Sequence, residues 1–400
     1  MKSTIIIILL LFLPTGNQFV SSQSKTGDLP VLDISKQYPK KQLFLQDIAE
    51  IENVRLETSD SVLLSGVGLR DISMLASVSD KYIVVYDLRR GDIFIFNRNG
   101  TIFSHFNHKG SSSREYPLIE DSSGILFDEK NEEIFVCSYR AIQVYSLYGD
   151  YKRTLKLEIH PKYFYEICNF DDETLLLYKD LDVEYVDDAN TEKLPYSLIS
   201  KKDGSTVSVL YFYLPKRYST RYRKYSGDGG KSTIWKSSNF SNRYHGQNLL
   251  LADISSDTMY LLNQNRELTP LLVRKPSVHA SEPRKVWTIT IITDKFVSIH
   301  IKTLDFEKDS SPRMQSFVYE FETGEISDML IKNTDFNVRG AGWSGPTNPI
   351  NSPENTTARL LQVPQLKEYA NRKILVGDFE KFVATLDYDD NPIVQIIKFK

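Results

Sequence analysis

Apolar positions along this chain come in short runs broken by polar turns, with no sustained helical period between residues 51 and 400. Such runs, rich in Val, Ile, Leu, Tyr and Phe and bounded by Gly, Asn and Asp, predict β-strands and hairpins. The order of events repeats. Residues 82–86 (YIVVY) and 93–96 (IFIF) lead to the turn Asn97-Arg98-Asn99-Gly100. Residues 134–137 and 142–145 lead to Tyr148-Gly149-Asp150, and 175–178 and 196–199 lead to Lys202-Asp203-Gly204. Residues 249–251 and 259–262 lead to the turn at 263–267, and 296–299 and 316–319 to Thr323-Gly324-Glu325. A sixth unit is read from 373–376 and 382–385, ending at Asp389-Asp390-Asn391.

The turns recur about every 58 residues, slightly beyond the roughly 20–50-residue period of solenoids, propellers and arrays, which implies loop insertions. Each unit holds strand, turn, strand, tight turn, strand, with room for one more strand ahead. Four antiparallel strands per unit make a propeller blade. The expected fold is therefore all-β, a six-bladed β-propeller with four-stranded antiparallel blades; a pair of β-sandwiches is the competing arrangement. Residues 51–56 and the final run 391–398 are further strands, either of which would complete the last blade and hide a sheet edge.

The N-terminus reads as an address. Lys2 precedes the apolar run 5–13, Pro14 and Gly16 break it, and Val20-Ser21-Ser22 offers small residues at a cleavage site. The run is too short to span a bilayer, which takes about 20 apolar residues. The expected organisation is a signal peptide at 1–22, an N-terminal extension at 23–50 and a single propeller domain at 51–400. The mature chain is then secreted or periplasmic and has no membrane span.

Composition changes this picture little. The chain has 49 Lys+Arg against 52 Asp+Glu, a net charge of −3, and no basic tract, which argues against a nucleic-acid partner. Its two cysteines, Cys137 and Cys168, cannot build a disulfide framework. The oxidising compartment allows a bridge between them, but each sits in an apolar run, and two separately buried thiols is the preferred reading.

These units resemble the six-bladed β-propeller family related to NHL and TolB-like propellers, seen in secreted proteins of the Bacteroidota. The likeness rests on residues 83–87 (IVVYD), 93–97 (IFIFN) and Gly100, and extends over roughly residues 30–400. The family usually follows with Gly-x-Gly-Pro-x-Glu-Tyr; here the stretch reads Gly110-Ser111-Ser112-Ser113-Arg114-Glu115-Tyr116, keeping the first Gly and the Glu-Tyr. The resemblance implies the fold and a bacterial envelope setting. It implies no reaction, since a fold hosts many functions.

The most unusual stretch is 211–245, dense in Arg and Tyr and lying between the third and fourth units. Arg forks onto carboxylate or sulfate and aromatic rings stack on sugar faces, so Arg221, Arg223, Tyr225 and Trp235 are the candidate ligand-binding residues. Trp343, among the glycines of 339–346, joins them as a platform. The bland alternative is a surface loop whose long side chains cover blade edges. No P-loop, Gly-x-Ser-x-Gly elbow, His-Glu-x-x-His or dinucleotide fingerprint is present. No metal site or cofactor is expected, since His105 and His108 would point to opposite sides of a strand. The leading expectation is a ligand- or partner-binding propeller without assigned catalysis, taking a glycan, a peptide or an envelope protein. The alternative is a glycan- or peptide-acting lyase or hydrolase, metal-dependent or not, with its site at the propeller axis.

Overall fold

The computed structural model describes residues 19–20, 29–64, 73–117, 119, 124–138, 141–157, 163–181, 192–225, 232–236, 243–245, 248–304, 314–337 and 352–400, with 19–20, 164, 221–225, 232–236 and 243–245 described as backbone alone. It is a β-propeller of six blades. Blade 1 is Ser73–Val78, Tyr82–Asp87, Asp92–Asn97 and Ile102–Asn107. Blade 2 is Ile125–Asp128, Glu133–Cys137, Ile142–Ser146 and Tyr151–Leu155. Blade 3 is Tyr163–Asn169, Thr174–Leu181, Tyr196–Ser200 and Thr206–Leu210. Blade 4 is Arg243–His245, Asn248–Leu251, Thr258–Leu262 and Leu268–Lys275. Blade 5 is Lys285–Ile292, Phe296–Thr303, Met314–Glu320 and Ile326–Lys332. Neighbouring strands within these five blades are antiparallel.

Each blade buries both faces, which is why its strands read as unbroken apolar runs rather than alternating ones. In the strand Tyr82–Asp87, Val84 and Tyr86 enter the cluster shared with blade 2, while Ile83 and Val85 enter the cluster shared with blade 6. Further clusters lie between blades 2 and 3, 3 and 4, 4 and 5, and 5 and 6. The six clusters close a ring. Cys137 lies in the cluster on one side of blade 3 and Cys168 in the cluster on its other side, so the two thiols are buried apart and form no disulfide. Burial pushes the Cys168 thiol up, beyond ordinary titration.

The tight turns behind the repeat are where the sequence predicts them. Gly100, Gly149, Gly204 and Gly324 all have positive φ. Two of these need glycine for space as well. A Cβ on Gly100 would lie 2.0 Å from the Arg55 carbonyl oxygen, and one on Gly149 would lie 2.6 Å from Phe106 Cβ. Arg55 and Phe106 belong to outer strands of the preceding blade, so each turn is seated against its neighbour.

Blade 6 departs from the sequence reading. Its described strands are Thr356–Leu361, Ile393–Phe399 and Ala49–Arg55, in that order from the inside. Both terminal runs therefore contribute: the C-terminal strand lies between Thr356–Leu361 and the N-terminal strand that closes the ring. The runs at 373–376 and 382–385, read as strands, are not. Helices Val363–Asn371 and Gly377–Ala384 occupy the connection, with Phe379, Val383 and Leu386 buried at helical spacing. The supposed sixth hairpin turn at 389–391 is the lead-in to the last strand. There Asn391, 1% exposed, accepts from the Leu64 N–H (2.8 Å) and donates to the carbonyls of Glu57 and Val62.

The segment before the closing strand runs along the outer rim. Val31–Asp33 lies parallel to the outer strand of blade 4, and Lys40–Phe44 lies parallel to that of blade 5. The residues expected as an extension thus cover two sheet edges before Ala49–Arg55 covers a third.

Blades 2 and 3 are also tied by a buried ion pair, Lys201 Nζ to Asp128 Oδ2 at 2.6 Å, with side chains 6% and 3% exposed. Burial works against the Asp128 charge, but the hydrogen bonds from Lys201 and Asn131 outweigh it and hold the carboxyl below its usual range. Replacing Lys201 by Met leaves that carboxylate buried without its cation, and a loss of about 3 kcal/mol is expected in a urea melt. Because the folded pKa lies below the unfolded one, the stabilisation is full at neutral pH and is lost as pH falls from about 4 through the folded value. The Lys201→Met variant should lack that acid-side slope.

Candidate functional site

The Arg/Tyr-rich stretch opens with a root that is packed, not loose. After the outer strand of blade 3, Phe212 and Leu214 enter the cluster between blades 3 and 4, while Tyr211 and Tyr213 alternate outward, 49% and 54% exposed. Arg217 is 1% exposed. Its guanidinium donates to the carbonyl oxygen of Lys179 and lies 5.8 Å from the ring centroids of both Tyr163 and Tyr178. Thr220 donates through both its N–H and its hydroxyl to the Asp180 carboxylate.

From the blade 4 side, Asp253 accepts from the Ser255 N–H (2.7 Å) and the Tyr196 hydroxyl (3.3 Å). Ser255 Oγ accepts the Tyr218 N–H at 2.9 Å. The Tyr218 ring carries the Arg284 guanidinium 3.6 Å above its centroid, and its hydroxyl meets His279 Nδ1 at 3.1 Å. The root is therefore a polar wedge in an otherwise apolar junction, and the wedge is charge-matched. Burial works against the Arg217 cation, but Tyr178 and the carboxylates of Asp253 and Asp180 hold it more firmly protonated than usual. The Tyr178 and Tyr196 phenols are pushed up by burial and then by Asp253.

On this root stands a two-stranded antiparallel hairpin, Arg221–Tyr225 with Ser232–Lys236. Arg221, Arg223 and Tyr225 occupy alternate positions, opposite Lys236, Ile234 and Ser232. Trp235 is opposite Tyr222 and so falls at the other parity. The hairpin brings four of the sequence-predicted residues onto one small element, in two sets. Trp343 lies outside the described residues. Sequence reasoning did not find Arg217, Thr220, Asp180 and Asp253 as the anchor. Only the density of Arg and Tyr around 211–225 pointed to the place.

The loop 110–116, which keeps only part of the family pattern, is likewise anchored. Tyr116 is fully buried, donates its hydroxyl to the Gly91 carbonyl at 2.7 Å and accepts the His108 N–H at 3.0 Å. Glu115 accepts the Ser112 N–H, which holds its carboxyl below the usual range.

Among the described residues the histidine side chains do not converge. His105 stacks on Phe94 and meets Asp92 at 3.0 Å, while His108 stacks on Tyr145 and meets the Gly149 carbonyl oxygen at 2.7 Å. His300, on blade 5, is pushed down to about 4 by burial and by Lys302. Among the described residues no group of three or more His, Cys, Asp or Glu is arranged to hold a metal ion.

A family model described as "Domain of unknown function (DUF4934)" matches residues 29–398. No curated protein matches the chain. Among solved structures, a candidate exported protein of Bacteroides fragilis is similar with a TM-score of 0.60 and 14% identity, over 92% of this chain and 99% of that one. At that identity the likeness concerns the fold. A virginiamycin B lyase of Staphylococcus aureus is similar at a TM-score of 0.37 and 10% identity, over 87% of this chain and 99% of that one, too distant to inform the site.

Proposed function

Because the chain belongs to this DUF4934 family of unknown function, we propose its role from its own residues: an exported propeller that binds an acidic glycan or peptide without transforming it. Export is supported by Lys2, the apolar run 5–13 and the small residues before position 23. Among the described residues no helix is long and apolar enough to cross a membrane.

The observation that carries the binding assignment is the fixed root under the Arg/Tyr hairpin. A surface loop that merely covers blade edges has no need of a buried Arg217 and two carboxylates at its base. A rigid root holds the alternating Arg221, Arg223 and Tyr225 in register, which lowers the entropy lost on binding. The arginines would take carboxylate or sulfate groups, and Tyr225, Trp235 and Trp343 would stack on rings.

The test is titration of the secreted protein with an oligogalacturonate and with an acidic peptide, followed by calorimetry. The double variant Arg221→Ala/Arg223→Ala is expected to weaken binding by at least about tenfold, since a hydrogen bond to a charged group is worth about 1.5–3 kcal/mol. Its melting temperature should be unchanged. Full binding by that variant removes the assignment.

A further inference from the structure

A cavity of about 490 Å³ opens beside the junction of blades 5 and 6, where four separate parts of the chain meet. The N-terminal segment between blades 5 and 6 supplies Gln46 and Glu50, the link from blade 5 to blade 6 supplies Asp335, the inserted helix Gly377–Ala384 supplies Asp378, Phe379 and Phe382, and the C-terminal strand ends beside it at Lys400. The two rings are nearly parallel, their planes 11° apart and centroids 6.4 Å apart, and give one apolar wall. The opposite lining is acidic.

Asp335 sits in a fixed frame. Gln46 donates to Asn333 Oδ1 at 2.6 Å and accepts the Thr334 N–H at 3.0 Å, and the Asp335 N–H donates to the same Asn333 oxygen at 2.9 Å. Asn333 is 3% exposed, yet its Nδ2 donor has no hydrogen-bond partner. Asn333 thus belongs to the frame behind Asp335 and is not itself part of the cavity lining. Behind the cavity a polar row crosses blade 6: Arg359 donates to Gln395, and Gln395 donates to Asn53, which lines the cavity. Asp378 shares its charge with Lys381, whereas Lys400 directs its ammonium to the backbone carbonyls of Gln46 and Asp47.

We propose that this cavity binds a small cation: an ammonium group on an aromatic or branched aliphatic body, as a free amine or as the first residue of a peptide. The ammonium meets Asp335 and Glu50, and the body lies against Phe379 and Phe382. The two-helix insertion gains a purpose in this account, since it supplies the apolar wall that blade 6 alone lacks. Burial pushes the Asp335 carboxyl up, against the pull of Gln46, Asn333 and Arg359, and a bound cation would reverse that.

The experiment titrates the full protein with phenylalanine amide, with the dipeptide amide phenylalanylglycine amide, and with 3-phenylpropionamide, which keeps the ring and carbonyl but lacks the ammonium. The ammonium compounds are expected to bind at least about tenfold more tightly than the neutral one, the worth of one charged hydrogen bond. Tighter binding of the dipeptide amide identifies a peptide N-terminus as the source, and equal binding identifies a free amine. Asp335→Asn and the exposed Glu50→Gln should each erase most of the preference, while Arg221→Ala/Arg223→Ala leaves it intact. Equal binding of the neutral compound, absence of binding by all three, or an unchanged preference in both acidic variants overturns the proposal.

Discussion

Deleting residues 1–56 is expected to leave a chain that does not unfold as a single cooperative unit. The strand Ala49–Arg55 pairs with Ile393–Phe399 along its whole length. Without it, the C-terminal strand becomes an unprotected apolar edge. The loss is not confined to hydrogen bonds. Val54 and Leu56 sit in the cluster between blades 6 and 1, Leu45 and Ala49 in that between blades 5 and 6, and Leu32 and Ile34 in that between blades 4 and 5. Burying a Val, Leu or Ile side chain stabilises by about 1.5–3 kcal/mol each. Together these approach the roughly 5–15 kcal/mol that holds a typical protein folded. Asn391 would lose its partners at Glu57, Val62 and Leu64 as those residues come free. A shorter deletion, of residues 1–36, removes the Phe19–Val20 and Val31–Asp33 strands from the edges of blades 3 and 4, with Leu32 and Ile34, but leaves Ala49–Arg55 in place, and should lower the melting temperature while keeping one transition. Calorimetry of both truncations checks this; a full-length-like transition in the longer one contradicts it.

The second large effect is expected at Arg217. Replacing it by Met keeps much of the volume but removes the cation that Asp180 and Asp253 stabilise and takes the guanidinium donor from the Lys179 carbonyl. Removing one partner from a buried charged group costs about 3–5 kcal/mol, and Arg217 belongs at the upper end because two tyrosine faces also lose a cation. Urea unfolding measures it. The same variant should weaken ligand binding although Arg217 touches no ligand, because the hairpin loses its root. A change below about 1 kcal/mol would mean that the wedge does not depend on this charge.

The pattern of what was readable follows from range and context. Gly100, Gly149, Gly204 and Gly324 marked the blades because a positive φ leaves a local trace in residue type. The two central strands of each of blades 1 to 5 were readable because burial on both faces makes their runs largely apolar, whereas Arg243–His245, read as the end of the Arg/Tyr stretch, is the inner strand of blade 4. Residues 373–385 were misread because Ile374, Leu375, Phe382 and Val383 also form short apolar runs. The spacing of Phe379, Val383 and Leu386 carried the helical signal. The rim strands could not be foreseen: Val31–Asp33 and Lys40–Phe44 pair in parallel with strands more than 200 residues away. At the site, the Arg/Tyr composition located the hairpin, but nothing local distinguishes the buried Arg217 from the hairpin's Arg221. That difference depends on Asp180 and Asp253, which two other blades bring to the same junction.

The most direct test of the binding account is amide hydrogen exchange of the protein with and without a saturating oligogalacturonate. Slowed exchange confined to the hairpin 221–236 and its immediate neighbours is the predicted result, with the rim strands and blades unchanged. Protection elsewhere on the ring, or none at all, would contradict the assignment of the hairpin as the ligand-binding element.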